Sequence, residues 1–262
     1  MQEGAGIVTL QGIDLQVTRR GSGPQLLLLH GGGGPQHHLP FFQKLTGQFE
    51  VIAPVHPGFA GSVIPAHFDG IEDLVYLYLD LMDVLDLRDV MVVGMSMGGW
   101  AAAEMAVRNT SRIAKLILVD AVGIKTGGRD SRDIADVFGL PQDEVTQLLF
   151  HDPANAPNPT TFTDAQLTEM AANRIALAMY TWEPYMHNPK LRYRLHRIQV
   201  PTLLIWGESD GLVPVSYAEA YRALIPGAEL MVIPKAGHAP QVEQPDLFCH
   251  HVYTFATRTE AT

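Results

Sequence analysis

The chain has 262 residues, of which 47% are hydrophobic and 18% are charged, a composition typical of a folded globular protein rather than a disordered one. Its formal net charge of -10 disfavours nucleic acid and anionic membrane surfaces as partners. The longest purely aliphatic run, Leu26 to Leu29, is far too short to span a bilayer, and the N-terminal sequence MQEGAGIVTLQG does not have the pattern of a secretion signal, so a cytoplasmic location is expected.

Short apolar runs predict the strands. A hairpin comes first, from Ile7 to Leu10 and from Ile13 to Thr18. The later strand candidates are Leu26 to Leu29, Val51 to Pro54, Val90 to Val93, Leu116 to Val119, Thr202 to Trp206 and Glu229 to Ile233. Helical stretches separate these later strands, among them Ile71 to Leu87, which has acidic residues in its first turn. The alternation predicts an α/β fold, with an eight-stranded, mostly parallel sheet flanked by helices and an antiparallel start.

The alternation of strands and helices stops after the sixth strand. Residues 123–197 contain amphipathic segments and several aromatics, and a structureless loop of this length is improbable in a compact domain. We therefore predict a helical cap, or lid, at 123–197, on a core made of 1–122 and 198–262. Ligands bind at the carboxyl edge of such sheets, where this cap would lie. Trp182, Phe138 and Tyr185 are its candidate substrate-binding residues, although most aromatics there would form the cap's own small core.

The predicted strand Val90 to Val93 runs into Gly94-Met95-Ser96-Met97-Gly98-Gly99, and a helix from Trp100 to Val107 follows. Two flanking glycines allow a tight corner that would strain the serine and lift its hydroxyl to the exposed end of the sheet. A Gly-x-Ser-x-Gly pattern arises by chance in about one chain in twenty, so other residues must support this interpretation.

Two later loops supply partners for the serine. A serine hydroxyl needs a base to take its proton and a third group to orient that base. Asp210 follows the strand Thr202 to Trp206, and His238 follows the strand Glu229 to Ile233. The order Ser96, Asp210, His238 is the order of a nucleophile-elbow hydrolase.

Both partners have competitors in the sequence. Asp120 ends the sixth strand and could also reach a histidine, whereas Asp210 is favoured because its strand precedes the histidine loop. His238 competes with other histidines expected near the same sheet edge, which are His30, His37, His38 and His56. Of these, His30 is expected to brace the glycine-rich loop.

The glycine run after the third strand, in LLLLHGGGG, leaves backbone N–H groups unobstructed. We predict that the amides of Gly32 and Met97 donate to the oxyanion that forms when a carbonyl is attacked. A dinucleotide loop is disfavoured because the third glycine of that motif is missing. The sequence has neither a His-Glu-x-x-His motif nor paired cysteines, so we expect no metal and no cofactor.

These motifs together resemble the α/β-hydrolase superfamily over nearly the full chain. The matching segments are His30 to Gly34, Pro57-Gly58-Phe59 with Ser62, Gly94 to Gly99, Gly207 with Asp210, and Gly237-His238. The resemblance implies an eight-stranded core, a cap after strand six, and catalysis by Ser96 with His238 as base and Asp210 orienting it. The second loop departs from the family pattern, with Val55 in the place of an aspartate and Ala60 in the place of a glycine.

The resemblance leaves three functions open. The leading hypothesis is a serine hydrolase that cleaves a carboxylic ester of a small or medium apolar acyl substrate through an acyl-enzyme, with water as second substrate. The elbow and HGGGG loop are also similar to hydrolases of carbon–carbon bonds in ring-fission products, but those typically have a tryptophan soon after the histidine, where this chain has Ala239 to Val242. The third possible function is that of a ligand-binding protein of the same fold that catalyses no reaction. The oligomeric state is a separate question, and a homodimer is possible.

Overall fold

The computed structural model describes residues 4–109, 111–128 and 130–258, so the ends of the predicted core, residues 1–3 and 259–262, lie outside the described residues. Eight strands form one sheet. They are β1 (Gly4–Leu10), β2 (Ile13–Arg20), β3 (Gln25–Leu29), β4 (Glu50–Pro54), β5 (Val90–Met95), β6 (Ile113–Val119), β7 (Thr202–Gly207) and β8 (Glu229–Ile233). Every predicted strand is confirmed.

The strand order across the sheet is β1-β2-β4-β3-β5-β6-β7-β8. The pairs β1·β2 and β2·β4 are antiparallel, and all the other pairs are parallel. The predicted mostly parallel sheet with an antiparallel start is therefore correct. Because parallel strands all point the same way, the loops after β3, β5, β6, β7 and β8 meet at one edge.

Eight α-helices occur among the described residues. They are α1 (Pro40–Thr46), α2 (Ile71–Val84), α3 (Met97–Arg108), α4 (Gln142–Leu149), α5 (Asp164–Thr181), α6 (Val215–Leu224), α7 (Pro240–Glu243) and α8 (Pro245–Thr257). The prediction for α2 was too long at its C-terminal end. That helix stops at Val84, and two residues later Asp86 has a φ of 46°, a left-handed conformation that a helix cannot contain.

The sheet has an apolar core on each face. Successive side chains of a strand point to opposite faces, so Leu27 and Leu29 enter one core while Leu26 and Leu28 enter the other. Helices α2, α3 and α6 cover the first core, and α1 and α8 cover the second. This double coverage explains why the central strands read as unbroken aliphatic runs.

The segment between β6 and β7, here called the helical segment 123–197, contains α4, α5 and four short 3-10 helices. Its described residues form no strand. The side chains of α5 bond to the loop after β4: the Tyr180 hydroxyl donates to the carbonyl of Pro57 at 3.0 Å, and the amide of Ala60 donates to Asn173 at 2.9 Å. No helix in the described part of the chain is both long and apolar enough to cross a membrane.

Candidate active site

Ser96 lies at the corner between β5 and α3, at φ 51° and ψ -114°. A Cβ on Gly94 would lie 2.4 Å from the carbonyl oxygen of Gly98, and a Cβ on Gly98 would lie 2.4 Å from that of Leu29. No side chain can occupy either place without moving backbone. The paired glycines are therefore a packing requirement of the corner, and the serine between them has a strained backbone.

Ser96, His238 and Asp210 form one hydrogen-bonded series. The Nε2 of His238 lies 2.9 Å from the Ser96 Oγ, and its Nδ1 lies 2.8 Å from Asp210 Oδ2. The other carboxylate oxygen of Asp210 accepts from the amides of Leu212 at 2.9 Å and Val213 at 2.8 Å. Since a carboxylate only accepts, Nδ1 carries the proton that it donates to Asp210, and Nε2 is free to take the serine proton.

The last two carbonyls of α4 bond to the loops that contain Asp210 and His238. The amide of Gly211, next to Asp210, donates to Leu148 O at 3.0 Å, and the amide of His238 donates to Leu149 O at 2.7 Å. The final carbonyls of a helix have no partner inside the helix, so they are available for such bonds. The helical segment 123–197 therefore contacts the loops of Asp210 and His238 through its backbone.

Glu243 links the histidine loop to the residues that follow α4. Its Oε2 accepts from the amides of Gly237 at 2.6 Å and His151 at 3.1 Å, and its Oε1 accepts from the Asp152 amide at 2.9 Å and the Asn155 side chain at 3.1 Å. The sequence pattern does not indicate Glu243, because an acid on a short helix resembles an ordinary surface charge. Its position five residues after the histidine was the one signal that pointed to it.

The two predicted oxyanion donors belong to different segments: Met97 follows Ser96 in the chain, and Gly32 lies in the glycine-rich loop after β3. A Cβ on Gly31 would lie 3.2 Å from the Ser96 Cβ, so the glycine-rich loop passes directly beside the elbow. Among the described residues, the amides of Gly32 and Met97 donate to no protein acceptor, which leaves both available to a ligand. The side chain of Leu177 on α5 packs against Gly32 and covers this loop.

His30 and His56 brace the same loop as a buried pair. The Nδ1 of His30 bonds to Gly31 O at 2.8 Å, its Nε2 accepts from the His56 amide at 3.0 Å, and the His56 ring bonds to His30 O at 2.7 Å and to the hydroxyl of Tyr78. Burial lowers the pKa of His56 to about 4, and burial and His56 lower the pKa of His30 well below its ordinary value. Both rings are therefore neutral near pH 7, and the expected bracing role of His30 agrees with these bonds.

Asp120, the competing acid, lies beside the series but does not bond to the histidine. Its Oδ1 accepts from the amide of Gly207 at 2.9 Å, and its Oδ2 is buried with no hydrogen-bond partner. Burial, and next the charge of Asp210, raise the pKa of Asp120 well above its ordinary value. In the described part of the chain, the one group of acidic and histidine side chains close enough to share a cation is Asp120, Asp210 and His238, which is the hydrogen-bonded site itself.

The three aromatics predicted to bind substrate form a cluster within the helical segment 123–197. The ring of Phe138 lies 5.8 Å from that of Trp182 and 6.2 Å from that of Tyr185. Tyr185 donates to Ala135 O at 2.6 Å, accepts from the Val137 amide at 3.0 Å, and lines a cavity of about 260 Å³. These contacts bring the three together but do not include Ser96, so a role in substrate binding remains a prediction.

Comparison with known proteins agrees with the fold of this chain. The profile described as the Alpha/beta hydrolase family matches residues 26–251. A pimeloyl-[acyl-carrier protein] methyl ester esterase from Vibrio vulnificus (strain CMCP6) is 24% identical over 93% of this chain and 98% of its own length. The 2-hydroxy-6-oxononadienedioate/2-hydroxy-6-oxononatrienedioate hydrolase of Paraburkholderia xenovorans (strain LB400) is 30% identical over 67% of this chain and 64% of its own. The solved meta-cleavage product hydrolase of Pseudomonas fluorescens IP01 superposes with a TM-score of 0.79 at 22% identity, over 96% of this chain and 97% of that one.

Proposed function

The chain belongs to the alpha/beta hydrolase family, and on that premise we propose that it is a serine hydrolase that cleaves a carboxylic ester of a small or medium, largely apolar acyl substrate. The observation that carries the proposal is the hydrogen-bonded series of Ser96, His238 and Asp210 at the carboxyl edge of the sheet. The relative from Vibrio vulnificus named as a methyl ester esterase supports the choice of an ester.

In the first half-reaction, the Ser96 Oγ attacks the ester carbonyl while His238 Nε2 takes the hydroxyl proton. The Asp210 carboxylate stabilises the imidazolium through Nδ1. The amides of Gly32 and Met97 donate to the oxygen that becomes negative, which lowers the barrier because they are already in place. Collapse of the tetrahedral intermediate breaks the carbon–oxygen bond, and the alcohol leaves with the proton that His238 returns.

In the second half-reaction, water attacks the acyl-enzyme. His238 Nε2 takes a proton from the water, and the same two amides stabilise the second oxyanion. The carboxylic acid then leaves, and the proton returns to the Ser96 Oγ. Besides substrate and water, these two half-reactions use only the hydrogen-bonded series, the glycine-rich loop and the Met97 amide.

The helical segment 123–197 acts in this proposal as a lid that shapes the acyl pocket. Support comes from its contacts: Leu177 packs on the glycine-rich loop, and the carbonyls of Leu148 and Leu149 bond to the loops of the acid and the base. Apolar side chains above a serine favour an apolar acyl group over a charged one. Trp182, Phe138 and Tyr185 are the candidates to contact the far end of that group.

A second candidate is hydrolysis of a carbon–carbon bond in a ring-fission product. The 30% identical relative from Paraburkholderia xenovorans, a hydrolase of an oxodienedioate by name, favours it. The segment after the histidine disfavours it, because residues 239–242 are Ala-Pro-Gln-Val and contain no tryptophan. The two candidates use the same serine and differ in the bond that is cut.

A panel of p-nitrophenyl esters of increasing acyl length, together with one dienone ring-fission product, separates the candidates. Ester turnover by the wild type that is lost in Ser96→Ala is the expected result, and the length profile then measures the acyl pocket. Cleavage of the dienone with no ester turnover would replace the ester proposal with the carbon–carbon one. Ester turnover unchanged in Ser96→Ala would contradict both.

A further inference from the structure

Asp120 is a buried acid that the proposed mechanism does not use. It follows the last residue of β6, is 1% exposed, and is fixed to the neighbouring strand by two bonds: its amide donates to Ile205 O at 3.0 Å, and its Oδ1 accepts from the Gly207 amide at 2.9 Å. Its Oδ2 has no hydrogen-bond partner although it is buried. An unpartnered buried carboxylate oxygen is costly unless a proton or a ligand satisfies it.

The surroundings of Asp120 place its carboxyl group against the triad. One carboxylate oxygen of Asp120, one of Asp210 and one ring nitrogen of His238 all lie within 4.8 Å of one another. In the described part of the chain, no lysine or arginine forms an ion pair with either acid. Two ionised carboxylates this close, with no cation among the described residues paired to them other than the imidazole of His238, repel each other strongly.

We propose that Asp120 is protonated and donates a hydrogen bond to the Asp210 carboxylate, so that it is a positioning residue that holds Asp210 in line with His238. The inference rests on the proposed function only for its catalytic consequence, since the proton itself exists with or without turnover. The protonated pair carries one negative charge instead of two, and the orphaned Asp120 oxygen gains a partner.

The donors around each acid decide which one keeps the charge. Asp210 accepts from the amides of Leu212 and Val213 and from His238 Nδ1, whereas Asp120 accepts only from the Gly207 amide. More donors stabilise the ionised form, so Asp210 is the anion and Asp120 the acid. Burial first, and then the charge of Asp210, raise the pKa of Asp120, which also favours the protonated form of Asp120.

A matched pair of substitutions tests the hydrogen bond. Asp120→Asn keeps an acceptor for the Gly207 amide and a donor for Asp210, and it is neutral at every pH; it should retain kcat within about threefold. Asp120→Ala removes both groups and should lower kcat by roughly tenfold to a hundredfold with little change in KM, because a charge-assisted hydrogen bond to Asp210 is lost. A kcat in Asp120→Ala equal to that of Asp120→Asn would overturn the proposal.

Infrared spectroscopy observes the proton directly and does not require turnover. At neutral pH, the wild type minus Asp120→Asn difference spectrum should show the carbonyl stretch of a neutral carboxylic acid. A difference spectrum with only carboxylate bands would show that Asp120 is ionised and would overturn the proposal. This result stands even if the ester hypothesis fails, and it remains decisive if Asp120→Ala does not fold.

The pH profile gives a third, independent readout. Asp210 and His238 are the titratable groups that face Asp120. If Asp120 is already neutral, Asp120→Asn leaves the acid limb of kcat/KM where it is. If Asp120 were ionised, its replacement would remove a negative charge within 4.8 Å of the imidazole and shift that limb to lower pH by about a unit or more. Such a shift would contradict the proposal.

Discussion

The strained backbone of Ser96 predicts that a glycine at this position gives a more stable protein than an alanine does, which is the opposite of the usual order. Ser96→Ala and Ser96→Gly both remove the hydroxyl, but only glycine also removes the Cβ that makes a φ of 51° and a ψ of -114° unfavourable. A residue held in such a region costs about 1–3 kcal/mol. Glycine loses about 0.5–1 kcal/mol more backbone entropy on folding than alanine does. The net expectation is that Ser96→Gly is more stable than Ser96→Ala by about 1 kcal/mol.

Urea unfolding of both variants measures this difference, which corresponds to about 3 °C in Tm for a chain of this size. Ser216 supplies a matched control, because it is exposed in the first turn of helix α6, where glycine should be less stable than alanine by up to about 1 kcal/mol. Opposite signs at the two serines would establish strain at the elbow. If Ser96→Ala were as stable as Ser96→Gly, or more stable, the strain argument would be wrong.

Three further results are expected. Gly98→Ala places a Cβ 2.4 Å from a backbone oxygen and should lower the free energy of unfolding by about 1–3 kcal/mol in denaturant titrations, whereas Gly33→Ala, which meets no atom within 4 Å, should not. Glu243→Gln loses acceptors for the histidine loop and should reduce kcat roughly tenfold in the ester assay, while the surface change Glu219→Gln leaves it unaltered. Burial lowers the pKa of His56 to about 4, so as the pH falls the unfolded chain binds a proton at this residue before the folded chain does. Urea titrations should therefore show that the free energy of unfolding falls by up to about 3 kcal/mol between pH 6.5 and 4, and by less in His56→Gln.

The sheet could be predicted from the sequence because burial on both faces leaves a strong signal. Leu26 to Leu29 and Val90 to Val93 consist of unbroken apolar residues, and such runs occur where helices cover both sides of a strand. The end of α2 could not be placed, since the left-handed turn at Asp86 depends on how the following strand is reached. Local composition does not contain that information.

The hydrogen-bonded arrangement of Ser96, His238 and Asp210 could also be predicted, because each residue follows a recognisable strand in a fixed order. The choice of Asp210 over Asp120 agrees with the hydrogen bond to His238, but the closeness of the two acids could not be foreseen. That closeness depends on the pairing of β6 with β7, which no sequence pattern specifies. The four bonds of Glu243 were missed for the same reason, since its partners lie about ninety residues away along the chain or on an adjacent loop.

The central claim is that His238 activates Ser96 as a nucleophile, and covalent labelling tests it most directly. A fluorophosphonate should add one adduct to the wild type, located by peptide mass spectrometry at Ser96. Ser96→Ala should remain unlabelled, and His238→Ala should react far more slowly because no base takes the serine proton. No adduct on the folded wild type, or equal labelling of the wild type and His238→Ala, would contradict the account.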